Sequence, residues 1–394
     1  MSPFEIRQRV KRRSADGLCA RRSRPDLFRP ASRRWGAFYQ LPRANSSPAK
    51  TPTRPLARPA TARKSARSRE SRQTCCICNG DQVSGKIVTV VNRKGGVGKT
   101  TLTLGLADTF VEHAGSSSGQ LERCVVAVDL DPQASLTRAL LSNVAMDVEE
   151  GRLGQVLGAG RTLAAAVDQR LSSKTTEVAN FLTHGVGRTG YHFSLLANDA
   201  RGWDVERKGF KRHGEAKLGN ALSSLLEQLS ERYEYVLIDC PPGQTILAEA
   251  AIKMSNLILC PISPDYLSIW GLESFDAYMR ELFPAEAPKR PPARFVFTKW
   301  RRKPTRYDPQ DKLSEYVESF SEPSQYVTLL REVGGQSSGL ARAIKMPFDP
   351  KLVLRLEGSP KPGRIWPFQR SYTADTVREL VNLGEAVKME LRCG

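Results

Sequence analysis

The segment VVNRKGGVGKTT, residues 90–101, combines three glycines, two lysines and two adjacent threonines. Glycines let backbone N–H groups approach phosphates, and a helix that follows points its positive end at them. Lys99 can reach the β- and γ-phosphates of a nucleotide, and the hydroxyl of Thr100 can ligate Mg²⁺. The stretch departs from the common phosphate-loop pattern, because Arg93 replaces the first glycine and Lys94 adds a second cation. We therefore predict a nucleotide site with an unusual extra lysine.

Two further segments each place aspartate directly after an apolar, strand-like run. VDLDPQAS (128–135) contains Asp129 and Asp131, and YVLIDCPPG (235–243) contains Asp239. Ligands of an open α/β sheet gather at the carboxyl ends of its strands. A carboxylate there can hold the water shell of a metal, so Asp239 is a candidate Mg²⁺ residue. Each aspartate could instead cap a loop or turn.

The order of apolar runs indicates the fold that must position these loops. Near-continuous apolar strands alternate with helical spacing, which is typical of a parallel sheet covered on both faces. We predict an α/β fold of the P-loop NTPase type, with a mostly parallel twisted sheet and helices on both faces. The predicted strands are 86–92, 124–130, 191–198, 235–240, 257–262 and 293–298, and the predicted helices are 101–114, 162–171, 218–233, 309–320, 337–345 and 373–391.

Composition divides the chain near residue 82. Residues 1–82 are rich in Arg, Pro and Ser and carry +15 of the net charge of +19, with few periodic apolar positions. Such a segment is predicted to be a disordered basic extension. It could grip nucleic acid, be inert, or lie upstream of a natural start near Val83, because VSGKIVTVV runs straight into the first strand. Residues 83–394 are predicted to form one phosphate-loop domain with an irregular segment at 300–370.

Cysteine usage and apolar runs bear on the compartment. Cys75, Cys76 and Cys78 form a cluster that lacks a fourth zinc ligand at suitable spacing, and no disulfide framework is visible. The chain has no run of about 20 apolar residues and no signal-peptide core. We therefore expect a cytoplasmic protein without a membrane span.

These motifs resemble those of a known family of ATPases. NRKGGVGKTT resembles the deviant phosphate loop of the ParA and MinD superfamily of ATPases, in which a signature lysine precedes the paired glycines. VDLDPQAS is similar to the second motif of that family and LIDCPPG to its Walker B strand. LILCPISPDYLSIWGLESF (257–275) is similar to the family segment after the next strand. The likeness covers residues 86–300 well and residues 300–394 poorly.

The resemblance implies ATP and Mg²⁺ as cofactors. Lys94 would reach across a dimer interface to the partner's ATP, Lys99 would bind phosphates in its own subunit, and Asp131 would position or activate the attacking water. Asp239 would support the metal through water, and Asp129 would help to order the metal site. The implied catalytic residues are Lys94, Lys99 and Asp131. The implied nucleotide-binding residues are Lys94, Gly95, Gly96, Val97, Gly98, Lys99, Thr100 and Thr101, with Pro242 and Gly243 as a γ-phosphate switch. The implied metal residues are Thr100, Asp129 and Asp239.

Other features of the sequence distinguish between the branches of the superfamily. A MinD-type regulator would end in a basic amphipathic membrane helix, whereas 373–391 has mixed charges and is predicted to pack on the core. Cys240 and Cys260 lie at unsuitable positions for the iron–sulfur cluster of the nitrogenase iron-protein branch. The branch that remains is the DNA-partitioning ATPases, which bind DNA without sequence preference as ATP-bound dimers and hydrolyse ATP slowly.

KWRRKPTR (299–306) is the strongest basic run outside the extension. It could be a DNA contact or a solvated loop, and Lys299 could instead touch adenine. The hypothesis is a cytoplasmic, nucleoid-associated ATPase that forms a homodimer on ATP, binds DNA non-specifically and segregates a plasmid, integrated element or chromosome region with a centromere-binding partner. The alternative is a ParA-like ATPase that positions a protein or membrane-associated cargo. The candidate DNA residues are Arg301, Arg302, Lys303 and Arg306.

Overall fold

A nine-stranded sheet forms the centre of the part of the chain that the structure describes. The structure is a computed structural model that describes residues 84–114, 124–141, 151–173, 175–188, 191–285, 287, 289–301, 326–333, 343–347 and 374–393. The predicted extension at 1–82, with its cysteine cluster, lies outside these residues, as does Val83.

The strands run in the order β3-β4-β2-β5-β1-β6-β7-β8, and β9 also pairs with β7. All of these pairs are parallel except β3–β4, which is an antiparallel hairpin. The predicted parallel sheet is therefore confirmed. The strands are β1 Lys86–Val90, β2 Val125–Asp129, β3 Leu182–Arg188, β4 Tyr191–Leu196, β5 Tyr235–Asp239, β6 Leu257–Ile262, β7 Ala293–Trp300, β8 Val327–Leu329 and β9 Lys345–Pro347.

Helices cover both faces of this sheet, as predicted. One apolar cluster joins α1, α2, α3 and α8 to one face, and a second joins α4, α5, α6 and α7 to the other. Because both faces are covered, the central strands are buried on both sides, which explains their near-continuous apolar sequences. The helices are α1 Lys99–Ala114, α2 Ser135–Leu141, α3 Arg152–Gly158, α4 Leu163–Ser172, α5 Arg201–Ser230, α6 Ile246–Met254, α7 Tyr266–Leu282 and α8 Ala374–Cys393.

Helix α8 packs on α1, which confirms the prediction of a core helix near the end of the chain. Leu380, Leu383 and Val387 are buried in the cluster that α8 shares with α1. Gly105 of α1 lies directly beneath Leu380, and Gly384 of α8 lies against the Thr109 side chain, so two glycines allow close approach of the helices. None of the described helices combines the length and apolarity that a membrane crossing requires.

Two predicted elements need correction. Helix α5 begins at Arg201 rather than at 218, and it bends at Gly214, where φ is 78° and ψ is 168°. The apolar pattern did not predict the first half of α5, because residues 201–213 bury little apolar surface. The predicted helix at 337–345 is also wrong at its end, since Ala343 makes a bridge with Arg331 and Lys345 begins β9. The predicted helix at 309–320 lies outside the described residues.

Candidate functional site

The glycine-rich loop connects the carboxyl end of β1 to the first residue of α1, as the motif predicts. Gly96 and Gly98 have φ of 71° and 91°, a backbone region that favours glycine. The Asn92 side chain donates to the carbonyl of Pro261 (2.7 Å) and accepts from the Lys94 N–H (2.9 Å). These bonds hold a loop whose backbone can approach phosphates from the start of a helix.

Thr298 of β7 anchors the other end of the loop. Its hydroxyl lies 2.6 Å from the carbonyl oxygen of Val97 and 3.0 Å from that of Ile262. Val97 itself is buried, whereas Gly95 and Gly96 are exposed. The loop is therefore anchored to β7 at Val97, while Gly95 and Gly96 are open to solvent.

Lys99 points into the centre of the loop. Its Nζ donates to the carbonyls of Asn92 and Lys94, both at 3.1 Å, and the residue is only 7% exposed. Burial lowers the pKa of this amine, while the carboxylates of Asp239 and Asp131 act in the opposite direction. Lys99 thus occupies the position from which an ammonium group would contact phosphate oxygens bound in the loop.

Thr100 and Asp239 meet at the carboxyl edge of the sheet. The Thr100 hydroxyl donates to Asp239 Oδ2 at 2.7 Å, while Asp239 Oδ1 is buried without a protein partner. Burial raises the pKa of Asp239 well above its ordinary value, and the nearby Asp129 raises it further. A cation with its water shell would satisfy the orphaned oxygen and offset this cost, so the two residues fit a Mg²⁺ site.

The described residues contain no cluster of three or more His, Cys, Asp or Glu side chains that could hold a metal ion by itself. Mg²⁺ in nucleotide enzymes is commonly held by one or two protein groups together with phosphates and water. The pair of Thr100 and Asp239 matches that arrangement. Cys124, Cys240 and Cys260 are free thiols buried in the core.

Asp129 and Asp131 have different surroundings. Asp129 accepts from the Asp131 N–H (3.1 Å) through one oxygen, and from the N–H and hydroxyl of Thr137 (both 2.8 Å) through the other. Burial raises the pKa of Asp129 to about 7. Because protein donors engage both of its oxygens, these contacts favour an ordering role for Asp129 over direct metal ligation. Asp131 accepts from the Gln133 N–H at 2.9 Å.

Lys94 is held within its own subunit. Its Nζ lies 2.9 and 3.1 Å from the two carboxylate oxygens of Asp265 and 2.9 Å from the Ser268 hydroxyl. Asp265 is also the N-cap of α7, since it accepts from the Ser268 N–H at 2.8 Å. Neither Asp265 nor Ser268 was assigned a role from the sequence, although Asp directly before an apolar helix is an N-cap signal.

The loop after β5 is bonded to the phosphate loop. Gly243, with φ of 96°, donates its N–H to the carbonyl of Arg93 at 3.1 Å. Glu206 of α5 accepts from the Ile246 N–H at the start of α6 (2.6 Å). The backbone of Arg93 therefore links the two loops, and Pro242 directly precedes the glycine that makes this bond.

The basic run at 299–306 is described only at its start. Lys299 has φ of 55°, and Trp300 packs against Phe297 with 5.3 Å between ring centroids. Arg301 is exposed at the end of β7. The other three candidate DNA residues lie outside the described residues: Arg302, Lys303 and Arg306.

A family model described as an AAA domain (AAA_31) matches residues 85–287, just over half of the chain, and includes the glycine-rich loop and the loops after β2 and β5. The chain belongs to the ParA/MinD superfamily of ATPases. Its relatives include the sporulation initiation inhibitor protein Soj of Bacillus subtilis, 27% identical over 48% of this chain and 62% of Soj. The chromosome partitioning protein ParA of Myxococcus xanthus is 27% identical over 48% of this chain and 56% of that protein.

Solved structures show the same fold at lower identity. Apo McdA of Cyanothece superposes with a TM-score of 0.54 at 16% identity, covering 77% of this chain and 99% of McdA. A Borrelia burgdorferi B31 protein assigned to plasmid partition, bound to AMPPNP, gives 0.51 at 17% identity over 78% and 99%. The likeness in fold thus covers about three-quarters of this chain. The matched part of Soj and of the Myxococcus xanthus ParA protein is about three-fifths of their length.

Proposed function

We propose that this protein is a Mg²⁺-dependent ATPase of the partition type. It forms a homodimer on ATP, binds DNA non-specifically and segregates a plasmid, an integrated element or a chromosome region. The observation that carries the proposal is the different placement of the two lysines of one loop. Lys99 points into its own loop, whereas Lys94 lies at the rim, bonded to Asp265 and Ser268.

The loop, Lys99 and the start of α1 are proposed to bind the phosphates of ATP. Thr100 and Asp239 would hold Mg²⁺, which neutralises phosphate charge when bound. Asp131, kept in place by Asp129, would orient the attacking water. The orphaned oxygen of Asp239 and the buried amine of Lys99 support these roles, because each lacks the charged partner that a bound nucleotide and its metal would bring.

Lys94 is proposed to act on the ATP of the partner subunit. The phosphoryl group in transfer carries negative charge, and a cation supplied from a partner stabilises that charge as an arginine finger does. Lys94 must first leave Asp265 and Ser268. Hydrolysis would therefore depend on dimer formation, which suits a slow switch.

DNA binding and a centromere-binding partner complete the proposal. The names of relatives that act in chromosome and plasmid partition support it, together with the exposed Arg301 at the end of β7. Binding to DNA phosphates would place the ATP-bound protein on the nucleoid, and such binding weakens steeply as salt concentration rises.

Fluorescence anisotropy with a labelled duplex of arbitrary sequence tests the function. We expect binding at low salt with ATP, little binding with ADP, and loss of binding as salt increases. Lys94→Ala should still bind ATP but should not hydrolyse it or bind DNA tightly, whereas Lys99→Ala should lose ATP binding. If the ATP-loaded protein ignores DNA at low salt, the partition role is refuted and a protein or membrane cargo takes its place.

A further inference from the structure

Thr137 is a fully buried threonine that has no role in the proposed mechanism. It lies in the first turn of α2, two residues after the helix begins at Ser135. Its hydroxyl donates to Asp129 Oδ2 at 2.8 Å and accepts from the Asn198 N–H at 2.9 Å. One hydroxyl therefore connects the carboxyl end of β2, the start of α2 and the segment that follows β4.

The backbone of Thr137 strengthens its link to β2. The first N–H groups of a helix have no acceptor within the helix. The Thr137 N–H donates instead to Asp129 Oδ2, also at 2.8 Å. One oxygen of Asp129 thus accepts two hydrogen bonds from one residue, and these bonds fix the orientation of the carboxylate.

Asp129 carries this constraint to Asp131. Its other oxygen, Oδ1, accepts from the Asp131 N–H at 3.1 Å. Asp129 is fully buried, so bulk water does not compete for these bonds. The position of the Asp131 backbone therefore depends on a carboxylate whose orientation Thr137 sets.

The turn between Asp131 and α2 is strained. Ala134 has φ of 57°, in the left-handed region that favours glycine, and it is buried. A residue with a side chain keeps such a conformation only where its surroundings enforce it. The Ala134 N–H closes the turn on the Asp131 carbonyl at 2.8 Å. Because Asp129 bonds to Asp131 on one side of the turn and to Thr137 on the other, it holds the turn closed.

The segment after β4 fixes Thr137 from the opposite side. β4 pairs with β2 in parallel register, with Leu196 opposite Val128, so the two strand ends are fixed relative to each other. Asn198 is buried, and its N–H has the Thr137 hydroxyl as its acceptor. Movement of that hydroxyl would leave a buried N–H without a partner, which is unfavourable.

We infer that Thr137 is a positioning residue for ATP hydrolysis, which acts through Asp129 to place Asp131 against the attacking water. This inference rests on the proposed function and adds a residue to the same site. Placement matters because a displacement of about 1 Å in a catalytic group can lower the rate by about a hundredfold. The hydrogen bonds of Thr137 involve no residue of the glycine-rich loop, so ATP binding should not depend on them.

Steady-state hydrolysis and equilibrium ATP binding by the full chain test this role. Thr137→Val removes the hydroxyl and nearly keeps the shape of the side chain. Its kcat should fall by about tenfold or more because Asp131 is no longer held in place. Its KM and its Kd for ATP should stay within about twofold of the wild-type values, since the lost interaction acts on the chemical step. Thr137→Ser keeps the hydroxyl and should retain most of the wild-type kcat.

Thr109→Val is the matched control. Thr109 is also fully buried, and its hydroxyl donates to the Gly105 carbonyl at 2.8 Å within α1. Both valine variants lose a buried hydrogen bond, so both should unfold at a lower temperature than the wild type. Only Thr137→Val should lose kcat when all the proteins are compared at a temperature at which circular dichroism shows them folded.

A second variant keeps the test decisive if Thr137→Val does not fold. Thr137→Cys places a thiol, which is a weak hydrogen-bond donor, where the hydroxyl was. Its kcat should be several-fold below that of Thr137→Ser, with KM unchanged. A kcat equal to that of Thr137→Ser would overturn the inference.

The outcomes separate the inference from the proposed function. If the wild-type chain does not hydrolyse ATP, the proposed function fails and the inference falls with it. If the wild type hydrolyses ATP and Thr137→Val either keeps the wild-type kcat or is impaired only in ATP binding, the inference alone is overturned. It is also overturned if Thr137→Ser is as slow as Thr137→Val, or if Thr109→Val loses kcat to the same extent.

Discussion

The contact between Lys94 and Asp265 should oppose dimerisation, because the proposed mechanism needs Lys94 at the partner's ATP. Asp265→Asn is the sharpest perturbation. It removes the charge but keeps an oxygen that can accept from the Ser268 N–H, and Asn is as good an N-cap as Asp. The fold of α7 should therefore be preserved while the ion pair is lost.

The expected size of the effect follows from exposure. The Lys94 and Asp265 side chains are 38% and 42% exposed, so the pair contributes only about 0.5 kcal/mol after solvent screening. A dimer must release two such lysines, which amounts to about 1 kcal/mol, or about fivefold in the dimer dissociation constant.

The charge state of the pair sets the pH for the assay. Burial acts against ionisation of Asp265, but the hydrogen bonds from Lys94 and Ser268 lower its pKa overall. A lowered pKa means that the contact is intact at neutral pH and is lost only as the pH falls through that value. The wild type and Asp265→Asn should therefore be compared at about pH 7.5, where the Asp265 carboxylate is charged.

Sedimentation of both proteins with ATP and Mg²⁺ measures the dissociation constant. Glu177→Gln is the control, since it removes the exposed ion pair with Arg232 (2.9 Å), near the amino end of β5. We expect tighter dimerisation for Asp265→Asn alone. An unchanged or weaker dimer would refute the idea that Lys94 leaves Asp265 when the subunits associate.

Three further predictions concern packing, thiol chemistry and the metal site. Gly384→Ala should destabilise the protein by about 1–3 kcal/mol in urea unfolding, because a Cβ there would overlap a threonine of α1. Gly219→Ala, where the new Cβ meets Ala at an ordinary 3.7 Å, should not destabilise it. Burial raises the pKa of Cys124 and Cys260 to about 12, so iodoacetamide at about pH 8 should modify neither thiol until the protein unfolds. Thr100→Val should raise the Mg²⁺ concentration needed for half-maximal ATP hydrolysis by about tenfold or more, and an unchanged requirement would remove Thr100 from the metal site.

The sequence predicted the sheet and the nucleotide loops because both depend on local signals. Apolar β-branched runs form buried strands wherever both faces are covered, and glycines with a following Lys-Thr need only a strand before them and a helix after them. The six predicted strands and the loop between β1 and α1 therefore lie where the sequence predicts them, whereas β3, β8 and β9 were not predicted.

Features that depend on tertiary contacts could not be predicted in the same way. The first half of α5 is held by contacts such as Glu206 with the start of α6, and no apolar period marks it. The partners of Lys94 lie more than 170 residues along the chain, at a helix cap that sequence patterns identify only as a cap. Thr137 binds Asp129 because α2 folds back on β2, which no motif records.

The central claim is that Lys94 acts on the ATP of the partner subunit, and mixing two inactive chains tests it most directly. In a heterodimer of Lys94→Ala and Asp131→Ala, one nucleotide site combines an intact Asp131 with a Lys94 supplied by the other subunit. Equimolar mixing should therefore restore about a quarter of wild-type hydrolysis, since half of the dimers are mixed and each has one complete site. If Lys94 acts on the ATP of its own subunit, no site is complete and the mixture will remain inactive.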